Sequence, residues 1–290
     1  MPVDQDRLGL VFERLDRQLS KLASKPQPQN VHRFRTYTRR LEALLEELAS
    51  GLGGNEKKLL KSLTCLRRRA GRVRDLDVQI SALRSLKIPQ EPERKAHLLR
   101  TLSDIRVKRE KKLHQALDRA TLRELRRRLK KAKRRRFDCE ADPIALGRRL
   151  FAQVTRLQVP LTEEILHKYR TAGKRIRYVV ESAERVPEAS EMLATLKVMQ
   201  DALGDWHDWL MLTQTADKIL PEVSQSSPLL TALRNVTGAK YRHALQVVTE
   251  TRSKILTPPS EPAVQAADAK KKAVARKPAS QSAAAAQSAA

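Results

Sequence analysis

Val31-His32-Arg33-Phe34-Arg35-Thr36-Tyr37-Thr38-Arg39-Arg40-Leu41 puts a histidine at the head of cations at +3, +7 and +8, with an aliphatic residue at +9. The same order returns in His167-Lys168-Tyr169-Arg170-Thr171-Ala172-Gly173-Lys174-Arg175-Ile176. On an α-helix turning about 100° per residue, offsets 0, +3 and +7 share a stripe about 60° wide, and +8 lies about 80° to one side. Each segment therefore predicts a helix with a histidine heading a column of guanidinium and ammonium groups. Phe34, Leu41, Leu44, Leu45 and Leu48 fall on the far side of the first helix, and Tyr169, Ile176, Val179 and Val180 on the far side of the second. One face suits burial and the other suits an anion. For a single column a solvated surface is the competing reading; a second copy with the same histidine offset and apolar phase favours a polyanionic ligand.

Composition points the same way. The 290 residues carry 59 Lys+Arg against 33 Asp+Glu, a formal net charge of +26. Such an excess repels itself and is offset by an acidic partner: nucleic acid, an anionic membrane surface or polyphosphate. Aromatic residues make up only 3%, too few for the stacking platforms that hold single-stranded nucleic acid. Little glycine, with abundant Leu, Ala, Arg, Lys and Glu, predicts an all-α protein. Cys65 and Cys139 lack CxxC spacing, which argues against a disulfide framework or a zinc site and suits a reducing, cytoplasmic setting. No signal peptide and no run of 18 apolar residues is found, so no membrane span is expected.

Pro, Gly and Ser punctuation divides the chain into eight expected helices. They fall at about 4–23, 29–50, 55–86 and 91–136, then at about 142–157, 161–186, 189–220 and 229–256. This predicts two sets of four, 4–136 and 142–256, inside a domain covering 1–256, with a His-headed column on the second helix of each set. Thr162, followed by Glu163 and Glu164, is a candidate cap. The helix at 91–136 would reach about 69 Å. It ends in a basic run, Arg126 to Arg136, that reads as a solvated arm or an indiscriminate polyanion contact. Residues 257–290, rich in Ala, Ser, Gln and Lys, are expected to be a disordered basic tail.

A second element repeats. Gly71-x-x-Arg74-Asp75 begins 39 residues after His32, and Gly204-x-x-His207-Asp208 begins 37 after His167. A glycine inside a helix costs about 1 kcal/mol relative to alanine, so each is expected to let the third helix approach the second. Asp75 and Asp208 are candidates to orient neighbouring arginines; a plain exposed acid is the alternative.

With Val73-Arg74-Asp75-Leu76-Asp77-Val78 and Leu196-Lys197-Val198-Met199-Gln200-Asp201-Ala202-Leu203-Gly204, the two His-headed segments resemble the signatures of the CHAD family, the conserved-histidine α-helical domain. The resemblance covers about residues 4–256. It implies two four-helix bundles related by a pseudo-twofold axis, and binding of inorganic polyphosphate in a basic central groove. It further implies phosphate ligands at His32, Arg35, Arg39 and Arg40, and at His167, Arg170, Lys174, Arg175 and Arg177, with Arg67, Arg74 and Lys197 from the third helices. His207 stands where the family often has Asn before the Asp. It would either add a titratable cation or leave a helix contact unchanged.

Binding of polyphosphate predicts association with polyphosphate granules, while nucleic acid remains the competing polyanion. Histidine, with a reference pKa near 6.5, predicts tighter binding at mildly acidic pH; the competing reading has each histidine capping or packing at its helix start. Glu91-Pro92-Glu93-Arg94-Lys95 matches an ExExK string, but that metal-binding pattern needs a β-strand to set both carboxylates on one face. No GxxxxGK loop, HExxH or Ser–His–Asp spacing is found. No catalytic residue, cofactor or metal is expected.

Overall fold

Prolines set the starts of five helices. Pro28, Pro92, Pro143, Pro187 and Pro228 each take the first helical position, where a missing N–H would have had no partner and the fixed φ is already helical. The computed structural model describes residues 5–49, 51–134, 142–156, 160–184, 186–220 and 227–256. Over them it is all-α: α1 (Gln5–Ser24), α2 (Pro28–Glu47), α3 (Gly54–Ser85), α4 (Pro92–Gln115), α5 (Arg119–Lys133), α6 (Pro143–Thr155), α7 (Glu163–Val180), α8 (Pro187–Ile219) and α9 (Pro228–Leu256). Asp118, Asp142 and Thr162 cap α5, α6 and α7 by accepting from the backbone N–H of Thr121, Ile144 and Ile165. All nine belong to one compact unit that ends at Leu256.

The single helix expected over 91–136 is two helices. The N–H groups of Ala116 and Leu117 bond back to Leu113 and His114, the three-residue closure that tightens a last turn. Leu113 and Leu117 are buried, so packing holds the break where no proline or glycine marks it. α5 then folds back onto α1 and α3, burying Leu125, Leu129 and Ala132. Arg126 lies 3.6 Å from Asp16, and Lys133 bonds Glu13 at 2.6 Å. As far as residue 134, the basic run is therefore part of a docked helix and not a free arm. Arg135 and Arg136, like the tail expected at 257–290, lie outside the described residues.

Three apolar clusters make up the core. The first gathers Leu15, Phe34, Leu41, Leu63 and Leu125 from α1, α2, α3 and α5, and reaches the second half through Leu146 of α6 and Val179 of α7. The second gathers Phe151, Tyr169, Leu196, Trp206 and Val248 from α6, α7, α8 and α9. A third, which a reading in two bundles does not anticipate, joins both halves: Leu83, Leu98, Leu102, Leu212 and Leu229 from α3, α4, α8 and α9. Length explains it. α3 and α8 have 32 and 33 residues, whereas α2 and α7 have 20 and 18. At 1.5 Å per residue the longer pair overruns its partners by about 20 Å. The apolar stripes on those far ends are buried by each other and by α4 and α9. Between the halves, α2 packs on α7 and α3 on α8.

Glu91 ties the third cluster together at its rim. Its φ of 56° is left-handed, a strained conformation for a side-chain-bearing residue. This aims the carboxylate at the start of α9, where Oε2 accepts from the Ser227 hydroxyl at 2.5 Å and the Leu229 N–H at 3.1 Å. The ExExK string thus opens a helix, and its first carboxylate caps another. Glu91→Ala is expected to lower the unfolding free energy by about 1–2 kcal/mol, and Glu93→Ala, on an exposed side chain, by less than about 0.5 kcal/mol. Urea denaturation of the two variants checks this.

Candidate functional site

The apolar stripes of α2 and α7 are buried as their periodicity predicts. Phe34, Leu41, Leu44, Leu45 and Leu48, and Tyr169, Ile176, Val179 and Val180, are all at most 4% exposed. With those faces inward and α2 against α7, the cationic columns are left facing a common space. His32, Arg35 and Arg39 from α2, Arg74 from α3, and Arg170, Lys174 and Arg177 from α7 line one groove of about 360 Å³. A neighbouring concavity of about 650 Å³ adds Arg67, His167 and Arg175. Arg39, Lys174 and Tyr178 line both. Arg39 and Lys174 are the +7 residues of the two columns, so the repeats meet at the centre of a continuous basic surface.

Arg40 and Lys197 are placed elsewhere. Lys197 is exposed and bonds Asp201 at 2.7 Å, a helical i,i+4 pair that is visible in the sequence itself. Arg40 bonds Glu181 at 2.6 Å, and its guanidinium lies 5.3 and 5.5 Å from the ring centres of Tyr37 and Tyr178. Arg175, the matching +8 residue, pairs with Glu47 and approaches Glu46 at 3.7 Å. The acceptors match as well: Glu181 is at +14 from His167, and Glu46 and Glu47 are at +14 and +15 from His32. The +8 cations therefore cross-link α2 and α7 reciprocally, each finding its carboxylate on the other helix.

The +3 arginines are buried cations with incomplete hydrogen bonding. Burial lowers the pKa of Arg35 and of Arg170, opposed by Asp75 and Asp208 respectively. Arg35 Nη1 lies 3.6 Å from Asp75, too far for a hydrogen bond. Both Arg35 Nη1 and Arg170 Nε are buried without a hydrogen-bond partner among the described residues. Gly71 makes room for the first of these groups. A Cβ built there would lie 2.5 Å from Arg35 Nη1, so this glycine seats a side chain, not a neighbouring helix. The close helix approach expected at Gly204 occurs at Gly173. A Cβ on Gly173 would lie 2.7 Å from Met199, and its carbonyl accepts from Gln200 Nε2 at 2.7 Å. Tyr178 and Gln200 line the groove and were not singled out in the sequence, because no repeated offset marks them.

Each histidine meets the residue three places after the repeated glycine. His32 has Arg74 among its close charges; loss of solvent around the ring, then Arg74 and Arg35, hold its pKa below the ordinary value although part of the ring is exposed. His167 instead faces His207, with ring centres 5.5 Å apart. Burial, then Arg170 and His167, push His207 down to about 3, so at neutral pH it adds no cation. Lys174 is pushed down to about 7 by burial first and by Arg170 and Arg39 next, with Asp208 opposing. Asp208 is itself raised by burial. Among the described residues, no group of three or more His, Cys, Asp or Glu side chains is placed to hold a metal ion. No helix among them is long and apolar enough to cross a membrane.

Long helices packed in pairs, with cations turned from both halves into one groove, define an all-α protein with a basic cleft. The chain belongs to the CHAD domain family, whose model matches residues 7–217. The crystal structure of the CHAD domain from the plant Ricinus communis has the same fold, with a TM-score of 0.64 at 18% identity over 87% of this chain and 89% of that one. PptA from Streptomyces chartreusis also matches, with a TM-score of 0.64 at 15% identity over 89% and 100% of the two chains. No curated protein matches the sequence.

Two expectations follow from this geometry. Arg40→Ala should cost about 1–3 kcal/mol of stability through its half-buried ion pair; melting curves of the variant and wild type would show it. Lys174 in the free protein loses its proton near pH 7, whereas an unfolded lysine keeps it to about pH 10.4. The unfolded state thus holds more protons between those values, and the stability of the free protein rises with pH across that window. A bound polyanion restores the proton, so affinity should fall from pH 7 to pH 9, and Lys174→Arg, which stays charged, should flatten the fall.

Proposed function

We propose that this protein binds inorganic polyphosphate along the α2–α7 groove, without chemistry, and that the two halves are a duplicated unit related by a pseudo-twofold axis. The observation that carries the reading is the pair of +3 arginines. Equivalent residues of the two repeats each bring a buried N–H without a partner to one groove. An unpaired buried donor costs about 1–3 kcal/mol, a cost that phosphate oxygens remove. Arg forks can engage two phosphate oxygens at once, and Lys174 adds a point charge at the centre. Among the described residues Tyr178 is the aromatic residue lining the groove; its ring is 5.5 Å from the Arg40 guanidinium and 5.4 Å from that of Arg177. That leaves charge and spacing, not base stacking, as the means of recognition. Location in the cytoplasm, with recruitment to polyphosphate granules, is part of the same proposal.

The test is a salt series of binding to polyphosphate, duplex DNA and heparin, with wild type and Arg35→Ala/Arg170→Ala. Polyphosphate should displace DNA at moderate salt, and the double variant should lose at least about tenfold in polyphosphate affinity, the worth of one hydrogen bond to a charged group. Incubation with Mg²⁺ should release no phosphate. Undiminished binding by the double variant, or DNA displacing polyphosphate, would sink the reading.

A further inference from the structure

α3 bears a second line of cations that the groove does not use. Lys61, Arg68 and Arg72 share one stripe of the helix with Cys65, because offsets of +4, +7 and +11 return to about the same face. Arg67 and Arg74, the cations that α3 turns toward the groove surfaces, lie about 120–140° round the helix from Lys61. Beside the stripe stand Arg69 and, from α4, Arg109 and Lys112. The Arg69 guanidinium donates to the Lys112 carbonyl at 3.5 Å. These residues line a concavity of about 790 Å³, larger than the groove's 360 Å³.

Two observations separate this cleft, with its six cations, from ordinary solvated surface. Glu46, its one lining carboxylate, lies 3.7 Å from Arg175 and also lines the concavity that continues the groove, so the two surfaces adjoin there. The fold does not call for the charge either. Aligned on Gly71 and Gly204, the matching positions of α8 are Ala194, Val198, Asp201, Ala202 and Asp205. The second repeat builds a helix of nearly the same length with acids at two of the three arginine positions, Asp201 for Arg68 and Asp205 for Arg72.

We propose that the α3–α4 cleft is a second phosphate-chain site, holding the part of a long inorganic polyphosphate that runs past Glu46 beyond the groove. This rests on the groove being a polyphosphate site. Among the described residues no aromatic side chain lines the cleft, so its contacts suit phosphate oxygens and not bases. From Lys61 to Arg72 the stripe extends about 16 Å, enough for several phosphates. A chain held in the groove meets the cleft at high effective concentration, so affinity grows with chain length, and short chains do not sense the cleft.

Cys65 stands in this cleft and is exposed, which makes it a local reporter. In full-length Cys139→Ser protein, alkylation of Cys65 by N-ethylmaleimide should slow when long-chain polyphosphate is bound. Tripolyphosphate, at a concentration that just fills the groove, should leave the rate unchanged. Arg68→Ala/Arg72→Ala/Arg109→Ala should weaken long-chain binding about tenfold and lower the slope of log affinity against log salt by about 2–3, with tripolyphosphate affinity unaltered. Replacing three exposed cations at the other end of the same helix pair, Arg84, Lys87 and Arg100, should change neither quantity comparably. Unprotected Cys65 under saturating long chain, or equal losses in the two triple variants, would overturn the proposal while leaving the groove intact. Protection by duplex DNA in preference to polyphosphate would overturn it in favour of a nucleic-acid surface. Loss of the groove reading would show separately, as normal tripolyphosphate binding by Arg35→Ala/Arg170→Ala.

Discussion

Everything about the site depends on two like-charged helix faces being held side by side. α2 and α7 would repel one another through Arg35, Arg39, Arg170 and Lys174 if nothing opposed it. Two things do. The apolar backs of both helices are buried, that of α2 in the first cluster and that of α7 mostly in the second, with Val179 joining the first, and burial of each large side chain contributes about 1.5–3 kcal/mol. Across the seam, Arg40 pairs with Glu181 and Arg175 with Glu47, one link in each direction. The +8 cations attract across the seam, which lets the +3 and +7 cations stand together with little counter-charge, Asp75 at 3.6 Å from Arg35 being one near carboxylate.

The groove accordingly holds charge in an unrelaxed state. Arg35, Arg39, Arg170 and Lys174 all have lowered pKa values, with burial as the largest cause. Such sites are where binding function concentrates, because a ligand that supplies the missing counter-charge gains what the free protein lacks. The surroundings of the two column-heading histidines differ. His32 has a permanent cation beside it in Arg74, whereas His167 has a neutral imidazole in His207. The repeated histidines thus stand in unlike electrostatic surroundings, and the second cationic stripe of α3 adds further charge on the first half.

The helical periodicity of α2 and α7 was legible to the residue, since every apolar position assigned to their backs is buried. The repeat offsets were legible too, and the columns they define do line adjoining concavities. What the pattern could not contain was long-range acceptance: Arg40 meets a carboxylate 141 residues away, and its offset says only that it stands to one side of the column. The break after Gln115 was hidden because Leu117 and Asp118 act through packing and a cap, not through a proline or glycine. The third cluster was hidden for a related reason. The apolar spacing of Leu83, Leu98 and Leu212 shows that each helix buries a face, but not which helix covers it.

That third cluster has a bearing on how such a molecule could arise and be dissected. If the chain descends from a doubled ancestor, the two copies have since become mutually dependent, because each now supplies a wall that the other lacks. Severed between α5 and α6, the leading fragment would leave Leu83, Leu98 and Leu102 uncovered, and the trailing one Leu212 and Leu229, apolar surface of the kind that drives association. Separate fragments would therefore recover their native arrangement by recombining, as complementing halves of a single cooperative body.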